Sequence, residues 1–93
     1  MNVKYTVKLT NKFRKDYKLM VKRNLDMSLL DDIIVKLAQG ISLPASNRDH
    51  ALAGNHAGHR GCHIQPDWIL IYHIDSGVLV LSLTRTGSHS DLF

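Results

Sequence analysis

Histidine is the side chain in this sequence with the most chemistry to offer, and it is unevenly placed. His50, His56, His59, His63 and His73 fall between positions 50 and 73, and His89 stands apart near the C-terminus. An imidazole with its ordinary pKa of about 6.5 either takes or gives a proton at neutral pH, so such a group suits general acid–base catalysis or metal ligation. The metal reading fits poorly. His56, His59 and His63 have spacings seen in zinc sites, but Gly54, Gly58 and Gly61 break any helix that would align them, and no pair of thiolates accompanies them. A loop is the expected place for His56 and His59, and His73 has no assigned role. Read singly, the other candidates have plain explanations. His63 is a strand histidine, Asp67 between Pro66 and Trp68 is ordinary turn chemistry, Trp68 is a core or rim aromatic, and Arg85 pairs with a surface Asp. The lone Cys62 forms no internal disulfide, which suits a reducing compartment, and it reads as a small strand side chain rather than a nucleophile. Phosphate-binding loops and serine or cysteine hydrolase signatures are missing.

Charge divides the chain differently. The 93 residues carry a net +4, yet Lys4, Lys8, Lys12, Arg14, Lys15, Lys18, Lys22 and Arg23 all lie in the first 23 positions against Asp16 alone, and the remainder is net acidic. All eight acids are Asp. Such an arm is either a solvated helix face or a phosphate-binding surface. The chain is long enough for one modest core, so a single domain over 1–93 is expected, and Rossmann or barrel cofactor folds are excluded by size. No apolar run spans a membrane and no signal-peptide pattern opens the chain, so a soluble, cytoplasmic protein is expected.

The elements that must position these residues follow from periodicity. Val3, Tyr5, Val7 and Leu9 alternate with polar residues, predicting a strand over 3–9 with one buried face. Thr10 or Asn11 then caps a helix over 11–23, with Phe13, Tyr17, Met20 and Val21 on its apolar side. Ser28 is the expected cap of a second helix, whose stripe is Leu30, Ile33, Ile34, Leu37 and Ala38 and whose end is marked by Gly40. After Pro44 come short strands: 48–53, a weakly alternating 60–65, then 68–74 and 78–83 joined by a three-residue Asp75-Ser76-Gly77 loop with glycine at a positive φ. The polar tail from Thr84 ends in Leu92-Phe93, an apolar pair expected to dock back on the sheet. The fold class is therefore α+β, in the order β-α-α-β-β-β(-β), an antiparallel-rich sheet with two N-terminal helices on one face.

Three segments then carry a resemblance: His50-Ala51-Leu52-Ala53-Gly54, Gly58 to Trp68 containing His63-Ile64-Gln65-Pro66-Asp67-Trp68, and Arg85-Thr86-Gly87-Ser88-His89-Ser90-Asp91-Leu92-Phe93. They resemble the YafQ-type branch of the RelE/ParE toxin superfamily, the mRNA interferases of type II toxin–antitoxin pairs. Size, element order and basic arm agree over the whole chain, and the motif match covers its C-terminal half.

The resemblance implies a RelE-like fold that enters the ribosomal A site and cuts mRNA without a cofactor or metal. It implies His50, His63, Asp67 and His89 as catalytic, with Arg85, Trp68 and Phe93 at RNA or phosphate. RNA supplies its own 2′-OH nucleophile, so the enzyme must provide a base, an acid and cations for the phosphorane. Either Asp67 or His63 is the base in this reading, His89 the acid, and His50 with Arg85 stabilises phosphate. Lys4, Lys8, Lys12, Arg14 and Lys15 of the arm would contact ribosomal RNA phosphates. The implied partners are mRNA, the ribosome and an acidic antitoxin that folds on the toxin, in a heterotetramer that meets operator DNA only through the antitoxin; no membrane is involved. Two other readings share the fold: a ParE-like gyrase-binding toxin without nuclease chemistry, and a basic RNA-binding module with idle histidines.

Overall fold

The computed structural model describes residues 3–93. Five strands form one mixed sheet in the order β1-β5-β4-β3-β2: β1 (Thr6–Leu9), β2 (His50–Ala51), β3 (Arg60–Gln65), β4 (Trp68–Asp75) and β5 (Val80–Gly87). Only the β1–β5 pair is parallel. Helices α1 (Asn11–Lys22) and α2 (Met27–Ala38) lie on one face, and a short helix α3 (His89–Leu92) packs on the other.

The alternation of β4 explains why both faces are covered. Trp68, Leu70 and Tyr72 point to the helices, joining Phe13, Met20, Leu30, Ile33 and Leu37 in the main core. Ile69 and Ile71 point the other way and meet Leu92 of α3 and the half-buried Leu52. A central strand apolar on both sides needs cover on both. Leu92 thus docks as the sequence suggests, while Phe93 stays exposed.

Local details depart from the periodicity. The first strand begins at Thr6 and only Tyr5 of its apolar set is buried; Val3, Val7 and Leu9 remain exposed because β1 is an edge strand that the helices do not cover. Val21 is likewise exposed, and Asp16 joins Phe13 and Met20 as a buried position on that helix. Thr10 caps α1 by accepting a hydrogen bond from the Phe13 amide. Asp26, not Ser28, caps α2, accepting from the Ser28 amide two residues on. Gly40 does close α2: its φ is +75°, and a Cβ there would come within 2.8 Å of the Lys4 side chain. In the β4–β5 hairpin, Asp75 pairs with Val80, so four residues turn rather than three, and the positive φ of 56° falls on Leu79, not on Gly77. The Asp75 carboxylate accepts from the Gly77 and Val78 amides, which fixes this longer turn through side-chain chemistry that hydropathy does not reveal.

Candidate active site

The register assembles the site. His63 sits opposite Ile69, and Gly61 opposite both Ile71 on β4 and His50 on β2. Paired residues share a face, so His50 and His63 project from the side that carries Ile69, Ile71 and α3, away from the long helices. Cys62, one position off, lies in the main core, where burial pushes its thiol up to about 12 and leaves no thiolate at neutral pH.

Backbone carbonyls fix the tautomers. His50 Nδ1–H donates to the Arg48 carbonyl at 2.7 Å, and His63 Nδ1–H donates to the Pro66 carbonyl at 3.1 Å. A carbonyl only accepts, so the neutral form of each ring keeps its free lone pair on Nε2, the atom remote from the backbone. Irregular pairing between His63 and Gln65 lets the chain bend through Pro66 and Asp67 before β4, and this bend brings the Pro66 carbonyl back to the His63 ring.

Asp67 joins this bend to the tail. Its Oδ1 accepts the His89 amide at 2.9 Å, while its second oxygen makes no hydrogen bond among the described residues. Gly87, where a Cβ would lie 2.9 Å from the Asp91 side chain, allows the sharp entry into α3. Ser88 and Asp91 form a capping box, and Arg23 at the end of α1 grips both Asp91 oxygens at 2.6 and 3.0 Å. The His89 and His56 rings flank Phe93 at centroid distances of 4.8 and 5.3 Å, and His56 Nε2–H donates to the Leu92 carbonyl. His56 therefore belongs to the tail's seat.

The Arg23 guanidinium, followed by the Ser88 amide, holds the Asp91 carboxyl well below the usual carboxylate range. A group depressed on folding stabilises the fold above its ordinary pKa of about 3.9, and this contribution fades as pH falls below that value. Acidification from pH 5 toward pH 2 is expected to weaken the His56–Phe93 contact, followed by NMR, before β4 amides lose protection. In Asp91→Asn the tail should already be looser at pH 7 and respond less to acid, the Asp67 carboxylate being retained; an undiminished acid response would remove Asp91 as the latch.

Two expected RNA contacts are placed differently. Trp68 is buried, with 2% of its surface exposed, and its Nε1–H donates to Thr86 Oγ1, so it offers no face to a base and supports the site from beneath. Arg85 sits opposite Ile71, but its guanidinium reaches past the open edge of β5 to Asp16, with Nε and a terminal nitrogen at 2.7 and 3.2 Å. Asp16 also accepts the Thr86 amide, so Arg85 is neutralised inside a structural pair. Phe93 and His89 are exposed beside Asp67. Lys4 and Lys8 lie in and beside β1, at the sheet edge opposite β2, and Lys12, Arg14 and Lys15 are exposed on α1. From β1 to β3 is three strand spacings, about 14 Å, which separates the basic edge from His63.

His56, His59 and His63 do not converge: His56 turns to the tail, His59 stacks near His73 with ring centroids 5.7 Å apart, and His63 turns to Pro66. Among the described residues no helix is long and apolar enough to cross a membrane.

The chain matches, over residues 5–93, the family described as the bacterial toxin of type II toxin–antitoxin systems, YafQ. It is 39% identical over 88 residues to the mRNA interferase toxin YafQ of Escherichia coli K12, covering 94% of each chain. It superposes on YafQ in the crystal structure of the Escherichia coli DinJ–YafQ toxin–antitoxin complex with a TM-score of 0.89, at 37% identity, covering 98% and 99% of the two chains. A metal-bound toxin from Helicobacter pylori is equally similar in structure, with a TM-score of 0.89 and 39% identity over 96% of this chain and 99% of the other. By family match, identity and superposition, the chain belongs to the YafQ family of type II toxin–antitoxin toxins.

Proposed function

We propose that this chain is an mRNA interferase that cuts messenger RNA in the ribosomal A site, using its histidines and the RNA's own 2′-OH. The observation that carries the mechanism is the hydrogen bond from the His89 amide to Asp67, which seats the tail histidine beside the bend that orients His63. His63 Nε2 takes the 2′-OH proton as the 2′-oxygen bonds to phosphorus. The bond from phosphorus to the 5′-oxygen breaks, and protonated His89 gives that oxygen its proton, leaving a 2′,3′-cyclic phosphate and a 5′-hydroxyl. His50 Nε2, on the same face, meets the phosphate, and Phe93 offers a stacking surface for a base. Asp67 holds His89 in place with one oxygen.

The basic edge and α1 suit ribosomal RNA phosphates, and a groove of about 430 Å³ between β1 and the helices, lined by Val7, Leu9, Phe13, Tyr17 and Ile34 and rimmed by Arg14, Lys18 and Asp31, would receive apolar side chains of the antitoxin. Two antitoxins would bridge two toxins as a heterotetramer, in the cytoplasm where translation occurs.

The test is cleavage of a defined mRNA on programmed ribosomes at constant magnesium, with the transition-metal chelator 1,10-phenanthroline present and then with cognate antitoxin added. Cleavage persisting with chelator and stopping with antitoxin is expected. Loss of cleavage with that chelator, restored by one transition metal, would overturn the metal-independent mechanism, and inhibition of gyrase supercoiling in place of cleavage would overturn the nuclease reading.

A further inference from the structure

With Arg85 neutralised by Asp16, the site still needs a cation for the phosphate. Of the five arginines, Arg23, Arg60 and Arg85 are in ion pairs with Asp91, Asp49 and Asp16; among the described residues Arg14 and Arg48 have none. Arg14 is on α1. Arg48 is exposed and lines, with His63, a cleft of about 250 Å³ that also includes Asn47, Gln65 and Pro66.

The segment around Arg48 is tied to both His50 and His63. Ala45–Asn47 form a single 3-10 turn, from which Asn47 Nδ2–H donates to the His63 carbonyl at 2.8 Å. Arg48 follows in the left-handed region, with φ 48° and ψ 44°, and its carbonyl receives His50 Nδ1–H. A left-handed residue with a side chain costs roughly 1–2 kcal/mol, and such conformations concentrate at functional sites. The strained residue thus aims a carbonyl at one histidine and its side chain lines the cleft of the other.

We infer that Arg48 is the phosphate-binding cation of this site, and that the cleft between the Ala45–Asn47 turn and the Pro66 bend receives the backbone phosphate of a nucleotide at the scissile bond. The inference rests on the RNA-cleaving reading, and a guanidinium suits it because its fork matches two phosphate oxygens.

Glycine adopts the Arg48 conformation without strain, so Arg48→Gly keeps the carbonyl aimed at His50 while removing the charge. Two measurements are compared with wild type: cleavage on programmed ribosomes, and affinity for an uncleavable 2′-O-methyl RNA oligonucleotide across a salt series. Arg48→Gly should cleave at least about tenfold more slowly, bind more weakly, and lower the slope of log affinity against log salt by about 0.7, the value for one single-strand phosphate contact. Arg48→Lys should recover most of the salt slope and part of the rate. If Arg48→Gly matches wild type in rate and slope, Arg48 serves only to aim its carbonyl and the inference fails. If wild type itself does not cleave, the RNA-cleaving reading fails first, and an unchanged salt slope still decides against Arg48.

Discussion

A chain carrying both His63→Ala and His89→Ala is expected to cleave mRNA at least about a thousandfold more slowly than wild type, since each acid–base group contributes roughly 10²–10⁴. Its folded stability should hardly move. Among the described residues the one hydrogen bond of the His63 side chain runs to the Pro66 carbonyl at the surface, and the exposed His89 ring lies against Phe93; the bond that seats the tail comes from the His89 amide, which alanine retains. The effects of two groups acting in one step are not additive, so each single variant should already lose most of the activity. Rates on programmed ribosomes together with urea unfolding of the same preparations check this. A double variant that is folded and active to within tenfold of wild type would remove both residues from the chemistry.

Asp16→Ala is expected to show the opposite pattern: a fall in stability of about 2–4 kcal/mol, read as a lower urea midpoint with an unchanged slope. Asp16 is 9% exposed and its carboxylate accepts from Arg85 and from the Thr86 amide. Alanine leaves a half-buried guanidinium unpaired and an amide without an acceptor, and an unmet buried donor alone costs about 1–3 kcal/mol. Thr86 is also a relay, its hydroxyl accepting from Trp68 Nε1 and donating to the Ile69 carbonyl, so disturbance at Asp16 travels to the strand beneath the tail. Arg85→Ala should cost less, because Asp16 keeps the Thr86 amide. Equal losses in the two variants would show that the ion pair, and not the amide, dominates.

What the sequence revealed and what it hid follow from the range of each interaction. Helices α1 and α2, the β4 run and the docking of Leu92 were legible because apolar period and burial are properties of neighbouring residues. The parallel joining of β1 to β5 and the exposed flank of Val7 and Leu9 were not, since edge position depends on strand order. The family motifs named His50, His63, Asp67 and His89, and His50 and His63 share a sheet face while Asp67 binds the His89 amide. Arg85 and Trp68 look the same in a motif whether they face RNA or the core. Their real partners, Asp16 and Thr86, are 69 and 18 positions away. The Ser88-x-x-Asp91 capping pattern was a readable signal for α3, whereas the grip of Arg23 on Asp91 spans 68 positions and leaves no local trace.

The parallel pairing of the first strand with the last has a consequence for the toxin's own synthesis. The Thr10 hydroxyl bonds the Thr84 carbonyl across 74 positions, and His89 follows that point in the chain. Such closure raises the contact order, which slows folding relative to locally wired folds of this size. A growing chain therefore lacks its finished sheet until β5 has been made, and His89 follows only after that strand. A chain arrested before β5 is complete has neither the closed sheet nor the strand from which α3 springs.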